Sequence, residues 1–203
     1  MTSESSTLYT KKLSAVVFIL LCACNTPDQD NRHKTDLVIR NIRNAAKNGD
    51  LILTRGTGFI STFIVNTLRE NQSVSHIGIV IRDNDSFFVL HILPDRENNR
   101  IRKESLHQFF KDTVPDSAVL IRTKHAPGDA IAASAITYLK KNISFDYYFD
   151  LKSKNEMYCT EYVWNVLRDS TGRDVLNKVT INGTIYLGFA SFLNNIYFER
   201  IYF

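Results

Sequence analysis

The chain has 203 residues, 44% of them hydrophobic and 23% charged, enough for one domain with a continuous core and too short for two comfortable ones. That balance excludes collagen, low-complexity disorder and multi-pass membrane proteins. Lysine and arginine number 25 against 21 acidic residues, a net charge of +4 spread along the chain. No clustered basic stripe of the kind a phosphate backbone demands is present, so nucleic acid is not an expected partner.

Lys11 and Lys12 precede an apolar run over residues 13–23, LSAVVFILLCA, that stops abruptly at a polar stretch. A basic flank, a short apolar run and small residues at its end are the pattern of a secretory signal, and the run falls short of the roughly 20 residues a spanning helix needs. Its end, Leu21-Cys22-Ala23-Cys24, resembles the bacterial lipobox. On that resemblance residues 1–23 are a lipoprotein signal peptide, Cys24 is the acylated first residue of the mature protein, and residues 24–35 are a polar, solvated tether. The expected location is the bacterial cell envelope, with the lipid in a membrane, the outer one in a Gram-negative host. Several acyl chains on one cysteine hold stably, since each buried methylene adds about 0.8 kcal/mol of membrane affinity. Three cysteines make no disulfide framework for a domain of this size. With Cys22 removed and Cys24 acylated, Cys159 is left as a lone thiol, either an inert buried residue or a nucleophile.

Residues 36–203 read as a single domain without internal repeats. Leu37, Ile39, Ile42 and Ala46 fall near one helical face, with Asp36 as N-cap and Asn48-Gly49 as the stop. Residues 50–54 (DLILT) form a first strand, Gly56 and Gly58 mark a turn, and residues 59–68 are again apolar-periodic. Two runs rich in branched and aromatic residues follow, SHIGIVIR (75–82) and SFFVLHIL (86–93), separated by Asp83-Asn84-Asp85. That is a hairpin pattern. Residues 103–111 read as a short helix, 118–123 (AVLIRT) as a strand and the alanine-rich 127–142 as a packed helix. An aromatic loop leads to a helix over 159–172 that Gly172 ends, and the tail reads as loop and a final strand within 196–203.

The hairpin makes a definite statement about its two histidines. A turn centred on Asp83-Asn84 sets His76 opposite His91 on one face of the sheet. A slip of two residues keeps them on that face, on a diagonal within reach of long side chains. Gly78 on the same face leaves room beside the imidazoles for a third group. Cys159 stands where irregular loop becomes helix, so unpaired backbone N–H groups and the positive end of the helix dipole favour thiolate over thiol. A histidine bonded to such a sulfur gives a thiolate–imidazolium pair, and a second polar residue beyond it fixes the tautomer. Cys159, His76 and His91 are available for these three roles, with backbone N–H groups at the nucleophile to receive a developing oxyanion.

Three stretches carry a family likeness: Gly49-Asp50-Leu51-Ile52, then Ser75-His76-Ile77-Gly78-Ile79-Val80, then residues 145–151 leading to Tyr158-Cys159-Thr160-Glu161. In these, and in the order histidine before cysteine, the chain resembles the YiiX/YebB-type cysteine hydrolases over about residues 48–203. These are circularly permuted papain-like proteins of the NlpC-like superfamily, related to the lecithin retinol acyltransferase group. The resemblance implies an α+β fold, an antiparallel sheet packed against helices with the nucleophile at a helix N-terminus. It implies Cys159 as nucleophile and His76 as general base. The third position falls on His91, where many YiiX-like proteins look acidic and a histidine is more like the acyltransferase branch. A neutral imidazole orients its neighbour but does not stabilise its charged form as a carboxylate does.

Other residues have plainer readings. Glu161, in the first helical turn, favours the helix N-terminus, with contact to the site as its alternative. Tyr158, Ser75 and the aromatic residues 145–149 shape the loop, although a tyrosine hydroxyl can line the cleft. His33, His107 and His125 are solvated, and Asp50 organises a turn. Two histidines and a thiolate are also three zinc ligands, but the long separation to Cys159 and the resemblance argue against a metal site. No metal or cofactor is expected. The activity implied is an exported, lipid-anchored cysteine hydrolase, amidase- or peptidase-like, cleaving an amide or ester through a thioester acyl-enzyme. A peptidoglycan peptide or a lipid-linked acyl group is its expected envelope substrate. The alternatives are a non-catalytic cell-wall or lipid-binding lipoprotein on the same fold, and a lipid acyltransferase or thioesterase.

Overall fold

The computed structural model describes residues 27–68, 74–95, 98–194 and 196–203; the signal peptide and Cys24 lie outside them. Among the described residues no helix is long and apolar enough to cross a membrane. In chain order the elements are α1 (Pro27–Ala45), β1 (Leu51–Gly56), α2 (Phe59–Leu68), β2 (His76–Asp83), β3 (Ser86–Ile92), β4 (Ile101–Ser105) and α3 (Leu106–Phe109). There follow β5 (Thr113–Thr123), α4 (Gly128–Leu139), β6 (Ser144–Phe145), β7 (Glu156–Met157), α5 (Cys159–Thr171), β8 (Lys178–Ile181), β9 (Thr184–Leu187) and β10 (Phe198–Ile201).

Six strands form one sheet in the order β10-β5-β1-β2-β3-β4, every neighbouring pair antiparallel. Strand parity divides the core into two layers. Leu51, Leu53, Ile77, Ile79, Ile81, Leu90 and Ile92 face α4 and α5, where they pack with Ile131, Tyr162, Val163 and Val166. Ile52, Val80, Val89 and Leu120 face the other way, onto Ile39 and Ile42 of α1 and Phe109 of α3. Central strands covered on both faces need apolar residues at successive positions, which is why Leu51 to Leu53 and Ile79 to Ile81 read as continuous apolar runs.

The entry to β1 is fixed by a half-buried ion pair and a glycine. Asp50 accepts from the Lys47 N–H at 2.7 Å and from the Arg122 guanidinium at 2.7 and 2.8 Å, as an organiser of its turn. Gly49 has φ +81°, and a Cβ there would fall 2.1 Å from the Gly128 carbonyl oxygen, so only glycine lets β1 begin against the start of α4.

Several expected elements differ. Residues 29–33 are exposed, as a tether would be, but they belong to α1, and Asp36 lies inside that helix instead of capping it. Proline is at home in a first helical turn, and Lys34 pairs with Asp30 at 2.8 Å one turn apart. The helix expected over 103–111 is instead edge strand β4 followed by the single turn α3, which Ser105 caps through its hydroxyl to the Gln108 N–H. The tail holds the extra hairpin β8–β9, closed by Asn182 and Gly183, both at positive φ, the turn that Asn-Gly favours. The β2–β3 turn is centred on Asn84-Asp85, with Asn84 at φ 53°, so Asp83 pairs with Ser86 and the register is displaced by two residues from that expected. Asn tolerates the left-handed region and Asp83 remains in the strand.

Candidate active site

That register decides how the histidines meet. By its displaced pairing His91 lies opposite Gly78, and His76 is its diagonal neighbour on the same face. The rings bridge the diagonal: His76 Nε2 is 2.9 Å from His91 Nδ1, with ring centroids 5.1 Å apart. Both rings pack on Phe109 of α3 at 5.4 and 5.1 Å. The space beside Gly78 is not open to a third group. A Cβ there would meet Val89 Cγ1 at 2.4 Å and His91 Cβ at 3.2 Å.

The far nitrogen of His91 is committed as well. His91 Nε2 lies 3.0 Å from Glu104 Oε2 on β4, and Arg102 holds Glu104 Oε1 at 2.9 Å while reaching Asp95 at 2.8 Å. Sequence reasoning missed Glu104 because it assigned that stretch to a helix. Its signal was the charged run Arg102-Lys103-Glu104 directly after Ile101, since charges on a short strand are how a sheet edge is kept from pairing further. Burial pushes both imidazoles below the ordinary histidine range, and proximity to His91 and to the Arg102 guanidinium lowers His76 further. The His91 hydrogen bond holds the half-buried Glu104 carboxyl below its usual range against the opposing effect of burial.

Cys159 is the first residue of α5 and a free, buried thiol. It approaches from the α4–α5 layer, whereas the imidazoles sit in the α1–α3 layer. The backbone N–H groups of Ile77, Thr160 and Cys159 itself face the sulfur and lower its pKa, but burial outweighs them and pushes the thiol up to about 12. Desolvation thus works against the thiolate–imidazolium pair expected from the helix position and favours the neutral forms of both groups. No hydrogen bond joins the sulfur to the His76 ring. The two residues line one cavity of about 690 Å³, together with Ser61, Ser75, Arg102 and Glu104.

A second, smaller cavity of about 230 Å³ also reaches Cys159 and is lined by Phe63, Tyr148, Phe149, Tyr186 and Phe189. Tyr158 lines this cavity and is the N-cap residue of α5. Its hydroxyl accepts from the Leu187 N–H at 2.8 Å, and Thr160 donates to the Leu187 carbonyl at 2.6 Å. Glu161 lies in the first turn of α5, one residue beyond Thr160. It is buried, it faces the Tyr158 N–H in the manner of a helix-capping carboxylate, and it lines neither cavity at Cys159. Burial, with Asp146 and Asp150 nearby, pushes its carboxyl up to about 8. Ser75 accepts from the Gly56 N–H at 3.1 Å and pairs with the Ser61 hydroxyl. His33, His107 and His125 are exposed.

No curated protein matches the chain. Among solved structures it is similar to YiiX from Escherichia coli O157:H7, described there as a metalloprotein. The TM-score is 0.65 at 17% identity, over 78% of this chain and 97% of that one, a likeness of fold. Residues 45–189 match the permuted papain-like amidases of the YaeF/YiiX type, the C92 family. Most of the described domain is included in that match, and the chain belongs to this family of hydrolases.

Proposed function

We propose that the protein is a cysteine-dependent hydrolase in which Cys159 attacks an amide or ester carbonyl and carries the acyl group as a thioester. The observation that carries this reading is the placement of Cys159 at the first turn of α5, with three backbone N–H groups at its sulfur, on the wall of a cavity shared with His76. From a neutral resting pair, the proton leaves sulfur for His76 as the carbon–sulfur bond forms, which is general-base catalysis. The N–H groups that face the sulfur are placed to receive negative charge on the carbonyl oxygen as it develops. His76 then returns the proton to the leaving amine or alkoxide, and water releases the acyl group.

Export, acylation at Cys24 and an envelope substrate belong to the same proposal. They rest on the signal-like N-terminus and the lipobox resemblance. The aromatic lining of the smaller cavity supports an apolar acyl group, which keeps the thioesterase and acyltransferase chemistry within the same reading. YiiX of Escherichia coli is described as a metalloprotein, and the residues here do not fit such a role. Among the described residues no three histidine, cysteine or acidic side chains are grouped to hold an ion, and the facing nitrogens of His76 and His91 are bonded to each other.

The test is intact-mass analysis after exposure to p-nitrophenyl acetate. One acetyl group is expected on the wild-type protein, mapped to Cys159, and none on Cys159→Ala. Acetylation that persists in Cys159→Ala, or its absence from the wild type, defeats the hydrolase reading and favours a binding protein. Palmitate incorporation in the bacterial host, lost in Cys24→Ser, tests the anchor.

A further inference from the structure

The buried histidine pair ends on a carboxylate that no motif announced. Strand pairing places His76, Gly78 and Val80 of β2, Val89 and His91 of β3, and Arg102 and Glu104 of β4 on one face. His91 lies opposite Gly78 on one side and opposite Arg102 on the other. His76 and Glu104 are thus its two diagonal neighbours, and the bonds at 2.9 and 3.0 Å run as one line across three strands. A line built on diagonals needs long side chains at every step and a small residue at the crossing, which Gly78 supplies.

We propose that Glu104 is a positioning residue, which through His91 sets the tautomers of both imidazoles so that His76 offers Nδ1 as the base toward Cys159. The inference rests on the cysteine hydrolase reading for its catalytic part, while its tautomer part stands on geometry alone. An ionised carboxylate only accepts, so the hydrogen between Glu104 and His91 belongs to His91 Nε2. A neutral ring carries one N–H, hence His91 Nδ1 bears a lone pair and must accept from His76 Nε2–H. His76 Nδ1 is then the unprotonated nitrogen.

During acylation the thiol proton passes from Sγ to His76 Nδ1 while the sulfur electron pair forms the bond to the carbonyl carbon. The new positive charge on His76 is met by the lone pair of His91, itself polarised by the Glu104 carboxylate. A lone neutral imidazole would do this poorly, and the carboxylate supplies through His91 what an acidic third residue supplies directly. When the tetrahedral intermediate collapses, the same proton moves from Nδ1 to the leaving group. The titratable and charged groups that face Glu104 are His91 from β3, Arg102 from its own strand and Asp95 from the segment after β3.

The plainer role for Glu104 is to pair with Arg102 and pin the edge strand. Two measurements separate the roles. In protein carrying ¹⁵N-histidine, long-range ¹⁵N–¹H correlation at neutral pH reads each tautomer without any variant, and both His76 and His91 are expected as Nε2–H. An Nδ1–H tautomer at His91 overturns the proposal. Single-turnover acetylation of Cys159 by p-nitrophenyl acetate is expected to slow about tenfold to a hundredfold in Glu104→Gln, the range of a charge-assisted hydrogen bond. Glu104→Asp is expected to recover part of the rate, and the glutamine variant to show mixed His91 tautomers. A variant that is less stable yet keeps the wild-type rate and tautomers overturns the proposal as well. Failure of wild-type Cys159 to acetylate strikes the hydrolase reading instead, and the tautomer spectrum then decides the part that remains.

Discussion

The Tyr158 hydroxyl accepts the backbone N–H of Leu187 at 2.8 Å, fastening the residue before Cys159 to the end of β9. Thr160, the residue after it, holds the carbonyl of the same Leu187 at 2.6 Å. Cys159 is therefore flanked by two buried bonds to one residue. Tyr158→Phe strands a buried N–H and Thr160→Val a buried carbonyl, so each is expected to lower stability by about 1–3 kcal/mol, read by urea unfolding. Because both bonds converge on Leu187, the double variant should depart from additivity. Strictly additive losses would show that the two bonds act alone.

Gly78→Ala tests the crossing of the histidine diagonal. The added methyl falls against Val89 Cγ1, a side chain stiff about χ1, and against the Cβ of His91. Overpacking of this kind costs about 1–3 kcal/mol, and here it should also displace His91 from His76. Val89→Ala in the same chain opens the space and should restore part of both stability and acylation rate. An alanine variant as stable as the wild type would mean the strands separate more easily than their burial implies.

How much of this was legible beforehand depends on the element. The apolar runs of β1, β2 and β3 and the α5 stop at Gly172, which adopts φ 66°, follow from local pattern, and so does the shared face of the two histidines, because a shift of two residues preserves parity. The exact partner was not legible, since Asp83-Asn84-Asp85 offers two centres for a tight turn. Glu104 was hidden by a strand whose charges look helical when its neighbour β3 is not considered. The burial of Cys159 was hidden for another reason: helix position is a local property, whereas desolvation depends on everything packed above it.

Cys159 should accordingly be slow toward iodoacetamide near neutral pH. The folded thiol is pushed up to about 12 by burial, whereas a thiol in an unfolded chain titrates near about 8.5. Alkylation followed at the Cys159 peptide should be slower in the native protein than in urea between about pH 7 and about pH 9. Faster native labelling would restore the preformed ion pair.

Glu161 gives the protein a pH dependence of definite sign. Its carboxyl is raised from 4.5 to about 8 in the fold, foremost by burial, so the native state binds the proton more tightly than the unfolded chain does. Its contribution is fully present below about pH 4.5 and is lost as pH rises through about 8. Glu161→Gln keeps an oxygen for the Tyr158 N–H and has no such proton to lose. It should flatten the decline and be the more stable form above about pH 8 in parallel denaturation series. Parallel curves for the two proteins would remove Glu161 as the cause.

The buried end of the Asp50–Arg122 pair predicts an asymmetry. Arg122→Ala leaves a carboxylate that is 1% exposed without its cation and should cost about 3–5 kcal/mol, whereas replacing both partners with apolar residues should cost less. Chemical denaturation of the two variants provides the comparison, and equal losses would assign the damage to lost packing.

His76, His91 and Glu104 all sit on one continuous β2–β3–β4 meander, while Cys159 hangs from α5, which is tied to β9 through Leu187 and meets the meander at the Ile77 N–H. On the proposed function, heredity has two handles of different kind: substitutions beside His76, His91 and Glu104 retune basicity, while changes in the β8–β9 hairpin reshape the wall that Tyr186 and Leu187 give the smaller cavity.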